Sequence, residues 1–386
     1  MKILLLANYL PDDIQSMDKF ATMLETGLSQ FGHQVRVIRP DPSINRIKSF
    51  PTNINKWLGY VDKFIFFPKK LRQEISWADV VHICDHSNAI YTKYLHLQNV
   101  PHVVTCNDLL AICSALGEIP ENPTRWTGKQ LQKMILNGLN HAQKVACISE
   151  QTRQDLLRLS SLKANAISLI YMGLNYAYTP MKKTETPDYL DNLGIPKNSG
   201  FLLHVGGNAC YKNRLGVLEI FYYLTQKKLQ EYCYLVMVGQ SFTNEMCQYI
   251  KTHNLRQKVI ELVRIDNENL RALYSSATAL LFPSLKEGFG WPIIEAQACG
   301  CPVFTSNRTP MTEVGGEAAI YINPSMPEKA AETITESLPM LELLKQKGLL
   351  NVQSFEREKM IISYIQLYQE LCKDTNFRVD KGQVFS

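Results

Sequence analysis

Residues 279–305 read ALLFPSLKEGFGWPIIEAQACGCPVFT, and this stretch predicts a βαβ unit. The apolar run 279–282 ends at a proline, which is typical of a strand buried on both faces of a parallel sheet. Pro292 suits the first turn of a helix, because the N–H that proline lacks would have no partner there. Gly300 and Pro302 then end the helix before the next strand begins. The stretch therefore predicts an α/β protein with a parallel sheet.

The loop between this strand and helix, residues 287–291, has the composition of a ligand site. Gly288 and Gly290 leave backbone N–H groups open beside the positive end of the helix, an arrangement that binds anions. Glu287 and Glu295 instead suit hydroxyl groups, because an ionised carboxylate only accepts hydrogen bonds. A nucleotide sugar carries both phosphates and hydroxyls, so it satisfies both halves of the pattern.

The two glutamates belong to a longer motif over residues 283–303, Pro-Ser-x-x-Glu-Gly-Phe-Gly-x-Pro-x-x-Glu-Ala-x-Ala-x-Gly-x-Pro-Val. This motif resembles the donor motif of retaining GT-B glycosyltransferases, specifically glycosyltransferase family 4. The resemblance implies an α/β fold of two Rossmann-like parallel-sheet domains that face a cleft, with the donor on the C-terminal domain. It also implies a C-terminal helix that crosses back to the N-terminal domain.

The length of 386 residues suits two α/β domains better than one core. We expect an N-terminal Rossmann-like acceptor domain over residues 1–178 and a C-terminal Rossmann-like donor domain over residues 201–352. The linker between them, residues 179–200, is rich in proline, which argues against regular structure there. Residues 353–386 should form the last helix, which packs on the N-terminal domain, and a tail.

A second glycine-rich turn, residues 206–214, follows a predicted strand and leads into a helix. Lys212 and Arg214 at the start of that helix suit a diphosphate. The turn resembles the Gly-Arg-x-x-x-x-Lys segment of the family, with Lys212 on the lysine position and Gly207 where the arginine is expected. We therefore expect Arg214 to supply the missing charge.

The N-terminal half departs from the family pattern at two places. Asn107 follows a predicted strand at a place that resembles the Thr-x-His-Asp of the family, whose histidine reaches toward the donor sugar. An amide cannot take a proton, so a mechanism with a histidine base is not expected. The loop of residues 8–16 lacks the paired glycines of the family, and we expect it to shape the acceptor pocket.

The resemblance, applied residue by residue, gives two groups of site residues. The expected catalytic residues are Glu287, Lys212, Arg214 and Asn107. The expected donor-binding residues are Gly207, Asn208, Arg264, Gly288, Phe289, Gly290 and Glu295. Among these, Lys212 and Arg214 would neutralise the diphosphate, Glu287 would hold the sugar and Glu295 the ribose, while Arg264 would lie near the base.

Residues 56–72 combine five basic side chains with five aromatic ones and a single acid. Such a segment predicts an acceptor-side helix whose aromatic side chains pack in the protein. The alternative is a peripheral contact with a membrane surface, next to a lipid-linked acceptor.

Composition argues against several other classes of protein. The net charge of +5 does not argue for a nucleic-acid partner, and no run approaches the roughly 18–20 apolar residues of a membrane span. Ten cysteines without Cys-x-x-Cys are expected to be reduced thiols in a cytoplasmic protein. His82, Cys84 and His86 alternate along a predicted strand, where the family resemblance implies a wall of the substrate cleft rather than a metal site.

The resemblance thus implies a retaining glycosyltransferase, in particular a hexosyltransferase, that uses a nucleotide-diphosphate sugar. The donor nucleotide is expected to be UDP or GDP, and the acceptor a hydroxyl of a glycan, a lipid-linked glycan or a small molecule. No metal and no other cofactor is expected, since the chain has no Asp-x-Asp and the resemblance implies that phosphate charge is neutralised without a metal. The alternatives are a nucleotide-sugar 2-epimerase-like GT-B enzyme and a non-catalytic nucleotide-sugar-binding protein. The expected location is the cytoplasm, and the alternative is a peripheral contact at the inner membrane face.

Overall fold

The chain folds as two units, one inserted into the other. The computed structural model describes residues 1–42, 58–182, 184–196, 199–227 and 233–383, with side chains up to Lys373. The first unit comprises Met1–Asn175 and Arg357–Ser386, and the second comprises Tyr176–Glu356. The first unit is therefore assembled from both ends of the chain.

Within the described residues, the first unit contains a sheet of six parallel strands in the order β2-β1-β3-β4-β5-β6. The strands are β1 (Lys2–Leu6), β2 (Gln34–Ile38), β3 (Val80–Ile83), β4 (His102–Cys106), β5 (Lys144–Cys147) and β6 (Ile167–Leu169). The helices that connect them are α1 (Gln15–Gln30), α2 (Phe67–Glu74), α3 (Thr92–Leu97), α4 (Leu110–Leu116), α5 (Trp126–Leu139) and α6 (Glu150–Leu159). Every residue of β3 and β4 is buried, as expected for central strands covered on both faces.

The second unit also contains six described parallel strands, in the order β12-β11-β10-β7-β8-β9. The strands are β7 (Phe201–Gly206), β8 (Tyr234–Gly239), β9 (Val259–Val263), β10 (Ala279–Phe282), β11 (Val303–Ser306) and β12 (Ile320–Ile322). The helices are α7 (Thr186–Asn192), α8 (Arg214–Gln226), α9 (Asn244–Thr252), α10 (Asn267–Ser276), α11 (Trp291–Ala298), α12 (Met311–Gly315), α13 (Pro327–Glu336) and α14 (Leu341–Asn351). The predicted βαβ unit is confirmed as β10, α11 and β11.

The expectation of an irregular linker over residues 179–200 is wrong in its middle. Helix α7 occupies that place, and Pro187 lies in its first turn. Proline is tolerated there because the first N–H groups of a helix have no intrahelical partner in any case. The segment belongs to the second unit, while Lys183, Lys197 and Asn198 lie outside the described residues.

The last helix, α15 (Arg357–Gln383), completes the core of the first unit. The Tyr368 hydroxyl lies 2.6 Å from Nδ1 of His82, and Nε2 of the same ring lies 2.7 Å from the Thr105 hydroxyl. The Tyr364 hydroxyl lies 2.8 Å from that of Thr105. Buried polar groups of β3, β4 and α15 therefore satisfy one another.

This arrangement corrects the expectation that His82 and Cys84 form a cleft wall. Both side chains are buried in the core, and burial lowers the pKa of His82 to about 3. A neutral imidazole between two hydroxyls is a structural group. His86, beyond the end of β3, is buried in a polar cluster that is described below.

Candidate active site

The candidate donor site of the second unit lies beyond the ends of β7 and β10. The order of the sheet reverses between these two strands, because β8 and β9 continue on one side and β11 and β12 on the other. Ligands of open parallel sheets bind beyond the carboxyl ends of the strands at such a reversal. The Leu285 N–H donates a hydrogen bond of 2.7 Å to the Tyr211 carbonyl and so joins the two loops.

The first pair of predicted residues that the structure brings together is Lys212 and Glu287. Nζ of Lys212 lies 2.8 Å from each carboxylate oxygen of Glu287. The Glu287 side chain is only 7% exposed and that of Lys212 is 23% exposed. Nζ also lies 5.7 Å from the ring centre of Phe282, at the end of β10. This ion pair is therefore largely shielded from water, where charges interact more strongly than at a surface.

Arg214 is the first residue of α8, and its side chain is buried. Its Nη1 donates to the Gln240 carbonyl at 2.7 Å and to Oδ1 of Asn208. Its Nε and Nη2 are buried and have no hydrogen-bond partner among the described residues. Burial lowers the pKa of Arg214, although Glu261 acts against this. A buried guanidinium with two unused donors is suited to an anionic ligand, since unpaired buried donors are costly.

Asn208 and Gly207 complete the loop after β7. The Asn208 N–H donates to Oε1 of Gln240 at 2.8 Å, and its side-chain amide donates to the Ser241 carbonyl at 2.7 Å. A Cβ at Gly207 would lie 3.3 Å from Oε1 of Gln240. Gln240, which follows β8, is thus the residue that packs where the family arginine was expected. The sequence signal that could have identified it is its position directly after a strand-ending glycine.

The loop before α11 has the backbone geometry that its glycines predict. Gly290 is the N-terminal cap of α11 with a φ of +105°, a region that favours glycine. Phe289 is buried and packs edge-on against Phe355, with ring centres 5.7 Å apart. Gly288, between Glu287 and Phe289, is partly exposed. The aromatic side chain therefore anchors the loop, and of its two glycines Gly288 is partly exposed while Gly290 is buried.

Glu295 lies inside α11 and is buried, and its Oε2 accepts a hydrogen bond of 2.9 Å from the Tyr274 hydroxyl. Burial raises the pKa of Tyr274 well above its usual value, and the nearby Glu295 raises it further. The Tyr178 hydroxyl is also buried and has no hydrogen-bond partner among the described residues. Glu295 therefore packs among buried tyrosines. Its contact with the ribose of the donor stays a prediction.

Arg264, a predicted donor-binding residue of the second unit, does not join the hydrogen-bonded groups of Lys212 and Arg214. It follows the edge strand β9 on an exposed turn, with a φ of +56°. In the described part of the chain it makes no ion pair or side-chain hydrogen bond with Lys212, Arg214 or Glu287. A contact with the nucleotide base from this position stays a prediction.

His204 lies on β7 directly below this site and was missed by sequence reasoning. Its ring is fully buried, Nδ1 lies 3.0 Å from the Leu281 carbonyl, and burial lowers its pKa to about 3. Its Nε2 has no hydrogen-bond partner among the described residues, and a Cβ at Gly206 would lie 3.1 Å from it. The alternation of side chains along β7 could have predicted that His204 points into the core. It could not have predicted that His204 lies beneath the loops of the candidate site.

Asn107, the remaining catalytic candidate, lies in a polar cluster of the first unit. Its Nδ2 lies 3.2 Å from Oδ1 of Asp85 and 3.0 Å from Sδ of Met17, and its Oδ1 is buried without a partner among the described residues. Asp85 Oδ2 accepts from the Asn8 amide at 2.7 Å and from the Ser87 hydroxyl at 2.5 Å. Asn8, Asp85 and Asn107 follow β1, β3 and β4, and the sheet order reverses between β1 and β3.

Asp85 and His86 lie next to each other inside this cluster, with Nδ1 of His86 3.1 Å from Oδ1 of Asp85. Burial acts to raise the pKa of Asp85, but His86 and the hydrogen bonds from Ser87 and Asn8 outweigh it and lower the pKa. Burial likewise acts to lower the pKa of His86, but Asp85 outweighs it and raises the pKa. Sequence reasoning missed Asp85, because nothing local distinguishes it from a capping residue at a strand end.

Two further features of the described residues bear on the predictions. They include no group of three or more histidine, cysteine, aspartate or glutamate side chains placed to hold a metal ion. None of their helices is both long enough and apolar enough to cross a membrane. Independence from metal stays a prediction.

Comparison with known proteins identifies the family. A family model described as "Glycosyltransferase Family 4" matches residues 17–178, and one described as "Glycosyl transferases group 1" matches residues 185–346. The chain belongs to glycosyltransferase family 4. The two models divide this family 4 enzyme close to the boundary between its two units.

Among curated proteins, two bacterial mannosyltransferases resemble this family 4 glycosyltransferase. O-antigen chain mannosyltransferase B of Escherichia coli is 25% identical over 256 residues, which cover 65% of this chain and 67% of the relative. O-antigen chain mannosyltransferase RfbU of Salmonella typhimurium is 27% identical over 214 residues, which cover 55% of this chain and 54% of the relative. The chain thus matches about two thirds of the first relative and about half of the second.

Solved structures show that the fold is GT-B. Sucrose-phosphate synthase from Thermosynechococcus elongatus has a TM-score of 0.72 at 21% identity, covering 96% of this chain and 99% of that chain. HepE of Anabaena in complex with UDP and glucose has a TM-score of 0.73 at 16% identity, and the match covers 96% of this chain and 99% of HepE. The predicted α/β fold of two Rossmann-like parallel-sheet domains is therefore confirmed.

Proposed function

We propose that this glycosyltransferase moves a hexose, with retention of anomeric configuration, from a nucleotide-diphosphate sugar to a hydroxyl group. The observation that carries the proposal is the ion pair of Lys212 and Glu287 at the β7/β10 reversal, beside the unused donors of Arg214. Cations suit a diphosphate and a carboxylate suits sugar hydroxyls. A site with both groups in contact fits a ligand in which phosphate and sugar are adjacent.

Each residue of the donor site has its own role. Arg214 and Lys212 neutralise the departing diphosphate, together with N–H groups around Phe289 and Gly290. Glu287 accepts hydrogen bonds from the sugar hydroxyls and Glu295 from the ribose. Preorganised charges of this kind act where negative charge develops in the transition state.

The transfer step needs no covalent enzyme intermediate. The acceptor oxygen forms a bond to C1 of the sugar while the bond from C1 to the diphosphate oxygen breaks. The hydroxyl proton passes to that departing phosphate oxygen, and attack on the same face of the sugar retains its configuration. Asn107 hydrogen-bonds a hydroxyl or carbonyl group rather than accepting the proton.

The nucleotide is UDP or GDP in this proposal, and mannose and glucose are the sugars to test first. Support for mannose comes from the names of the two bacterial relatives, and support for UDP and glucose from the ligands of HepE. The acceptor is a hydroxyl of a glycan, a lipid-linked glycan or a small molecule. The family resemblance implies that phosphate charge is neutralised without a metal, so we expect turnover in the presence of EDTA.

The test is nucleotide release from UDP-glucose, UDP-mannose, GDP-mannose and ADP-glucose in the absence of acceptor. We expect slow release from one donor, and a loss of about 100-fold in Glu287→Gln. The matched control is Glu317→Gln, because Glu317 is in the same unit and 94% exposed. Binding of a nucleotide sugar without release, even with acceptors added, would establish a binding protein instead. Formation of a 2-epimer would establish an isomerase, and an inverted anomer by NMR would overturn retention.

A further inference from the structure

His86 lies at the edge of the first sheet where a ligand would bind. It follows β3 and begins a short 3₁₀ helix, His86–Tyr91. The order of the sheet reverses between β1 and β3, and open parallel sheets bind ligands beyond the carboxyl ends of their strands at such a reversal. His86 is 8% exposed. The protein therefore holds most of the ring in place, and a ligand can reach only a small part of it.

Asp85 connects His86 to the predicted catalytic amide. Nδ1 of His86 lies 3.1 Å from Asp85 Oδ1, and Nδ2 of Asn107 lies 3.2 Å from the same oxygen. The imidazole and the amide are therefore neighbours across one carboxylate oxygen. The other oxygen, Oδ2, accepts from the Asn8 amide and the Ser87 hydroxyl, which fix the carboxylate. The contacts that place Asn107 thus also place His86.

Two carboxylates act on the His86 ring from different loops. Asp85 belongs to the loop after β3 and Asp108 to the loop after β4. Asp108 is itself held in place, because its Oδ1 accepts a hydrogen bond of 3.0 Å from the Leu110 N–H. Burial acts to lower the pKa of His86, but Asp85 and Asp108 outweigh it and raise the pKa. The imidazolium form is thereby favoured near neutral pH.

The proton on the second ring nitrogen depends on this charge. Nε2 of His86 makes no hydrogen bond in the described part of the chain. The imidazolium carries a proton on both nitrogens, so its Nε2 can donate. The neutral ring keeps one proton. The contact of Nδ1 with Asp85 is not aligned as a hydrogen bond, but the negative oxygen still favours that proton on Nδ1. Loss of the charge therefore turns Nε2 from a donor into an acceptor.

We propose that His86 is a substrate-binding residue, which donates a hydrogen bond from Nε2 to an oxygen of the acceptor beside Asn107. This inference rests on the proposed function and adds a residue to the acceptor side of that reaction. Because Asp85 and Asp108 already balance the imidazolium, the bound oxygen belongs to a hydroxyl or a sugar ring rather than to a phosphate. His86 does not take the proton of the attacking hydroxyl, which still passes to the departing phosphate oxygen.

Nuclear magnetic resonance of the full chain, with ¹⁵N-labelled histidine, tests the charge of His86 without any donor. The resonances of His86 are assigned by their absence from His86→Gln. We expect both ring nitrogens to keep their protons to a higher pH than those of His96, an exposed histidine on α3. A ring that is already neutral at about pH 6 would overturn the proposal.

The same spectra test the contact with a hydroxyl compound. The probes are methyl α-mannoside and methyl α-glucoside, added with and without UDP and GDP. We expect at least one of them to shift the Nε2 resonance of His86 saturably while the ring is charged, and to have no such effect once it is neutral. His96 should respond to neither. Spectra in which Nε2 of His86 also responds to neither probe would contradict the proposed contact.

Transfer kinetics separate a substrate contact from a structural role. The donor is the one that releases nucleotide, and the acceptor is the methyl glycoside that shifts Nε2. We expect His86→Gln to lower kcat/KM for transfer by about 10- to 100-fold, since it removes a charged hydrogen-bond donor. In the wild type, kcat/KM should fall about tenfold per pH unit above the pKa of His86, and His86→Gln should lack this decrease. His96→Gln, in the same unit, is the matched control and should behave as the wild type.

The direction of the pH dependence distinguishes the alternatives. Activity that is lost in acid instead would identify His86 as a base and overturn its donating role. A loss in His86→Gln that leaves the pH dependence unchanged would show that His86 serves only the structure. Failure of the proposed function is separate, because the spectra require no nucleotide sugar and no turnover.

Discussion

The ammonium group of Lys212 lies 2.8 Å from both carboxylate oxygens of Glu287, 75 residues further along the chain. A donor whose phosphate takes the lysine and whose sugar takes the glutamate must share or open this pair. The effects of substituting the two residues on the activation free energy should therefore be non-additive. We expect Lys212→Met and Glu287→Gln each to lower kcat/KM by about 100-fold, and the double variant to lose much less than the product. Steady-state kinetics of all four proteins measure this, and strictly multiplicative losses would show that the residues act independently.

Arg214 should increase nucleotide affinity at a cost in stability. Because two of its buried donors have no partner among the described residues, Arg214→Met should raise the free energy of unfolding by about 1 kcal/mol. The same change should weaken nucleotide binding by about 10- to 150-fold, corresponding to about 1.5–3 kcal/mol. Denaturant unfolding and calorimetry measure the two effects. Arg256→Met, at an exposed position of the same unit, is the control and should change neither. A destabilised Arg214→Met protein would contradict this explanation.

The stability of the first unit should decrease in acid because His82 is buried in its neutral form. Its folded pKa of about 3 is below the unfolded value of about 6.5, so the unfolded state binds the proton more readily. The stabilisation is complete above about pH 6.5 and is lost as the pH falls toward 3, by about 1.4 kcal/mol per unit. In His82→Gln, the difference in unfolding free energy between pH 6.5 and pH 5 should be smaller by about 2 kcal/mol. An unchanged difference would show that His82 is protonated in the folded protein.

The hydroxyl of Tyr368 should stabilise the attachment of α15. Its removal in Tyr368→Phe leaves Nδ1 of His82 buried without its partner, which typically costs about 1–3 kcal/mol. Denaturant unfolding followed by circular dichroism measures the loss. Tyr222→Phe is the comparison, because the Tyr222 hydroxyl makes no hydrogen bond in the described part of the chain. Equal stability of the two variants would mean that the hydroxyl contributes nothing.

Asp85 should act on the acceptor side of the reaction. It organises Asn8, Ser87 and Asn107 as a common acceptor of hydrogen bonds, and an amide cannot satisfy all three donors. We expect Asp85→Asn to lower transfer to an acceptor by about 100-fold, while nucleotide release without acceptor changes little. Asp188→Asn, at an exposed position, serves as the control. A parallel loss of both reactions would place Asp85 in folding or donor binding instead.

The sequence predicts the second unit well, because its signals are local. Gly290, Pro292 and Gly300 mark the turn, the start and the end of α11 within a few residues of one another. The prolines of the linker were misleading, since Pro187 begins a helix instead of preventing one. A proline excludes helix only beyond the first turn.

The polar contacts of the candidate site were less predictable. Lys212 and Glu287 were each identified as site residues, but their ion pair depends on two loops that only the sheet order brings together. Asp85 was missed because its partners Asn8 and Asn107 are far from it in sequence. Such pairings follow from topology, which no local pattern of residues specifies.

The position of α15 has a consequence for folding during synthesis on the ribosome. The buried faces of β3 and β4 receive Tyr364 and Tyr368 only after all of Tyr176–Glu356 has been translated. Domains usually fold in the order in which they emerge, the N-terminal one first. Here the inserted unit has its whole sequence available earlier, while the unit that emerges first must wait for the final helix. A nascent chain stalled before Arg357 would expose an unfinished core, and chaperones should hold it longer than the complete chain.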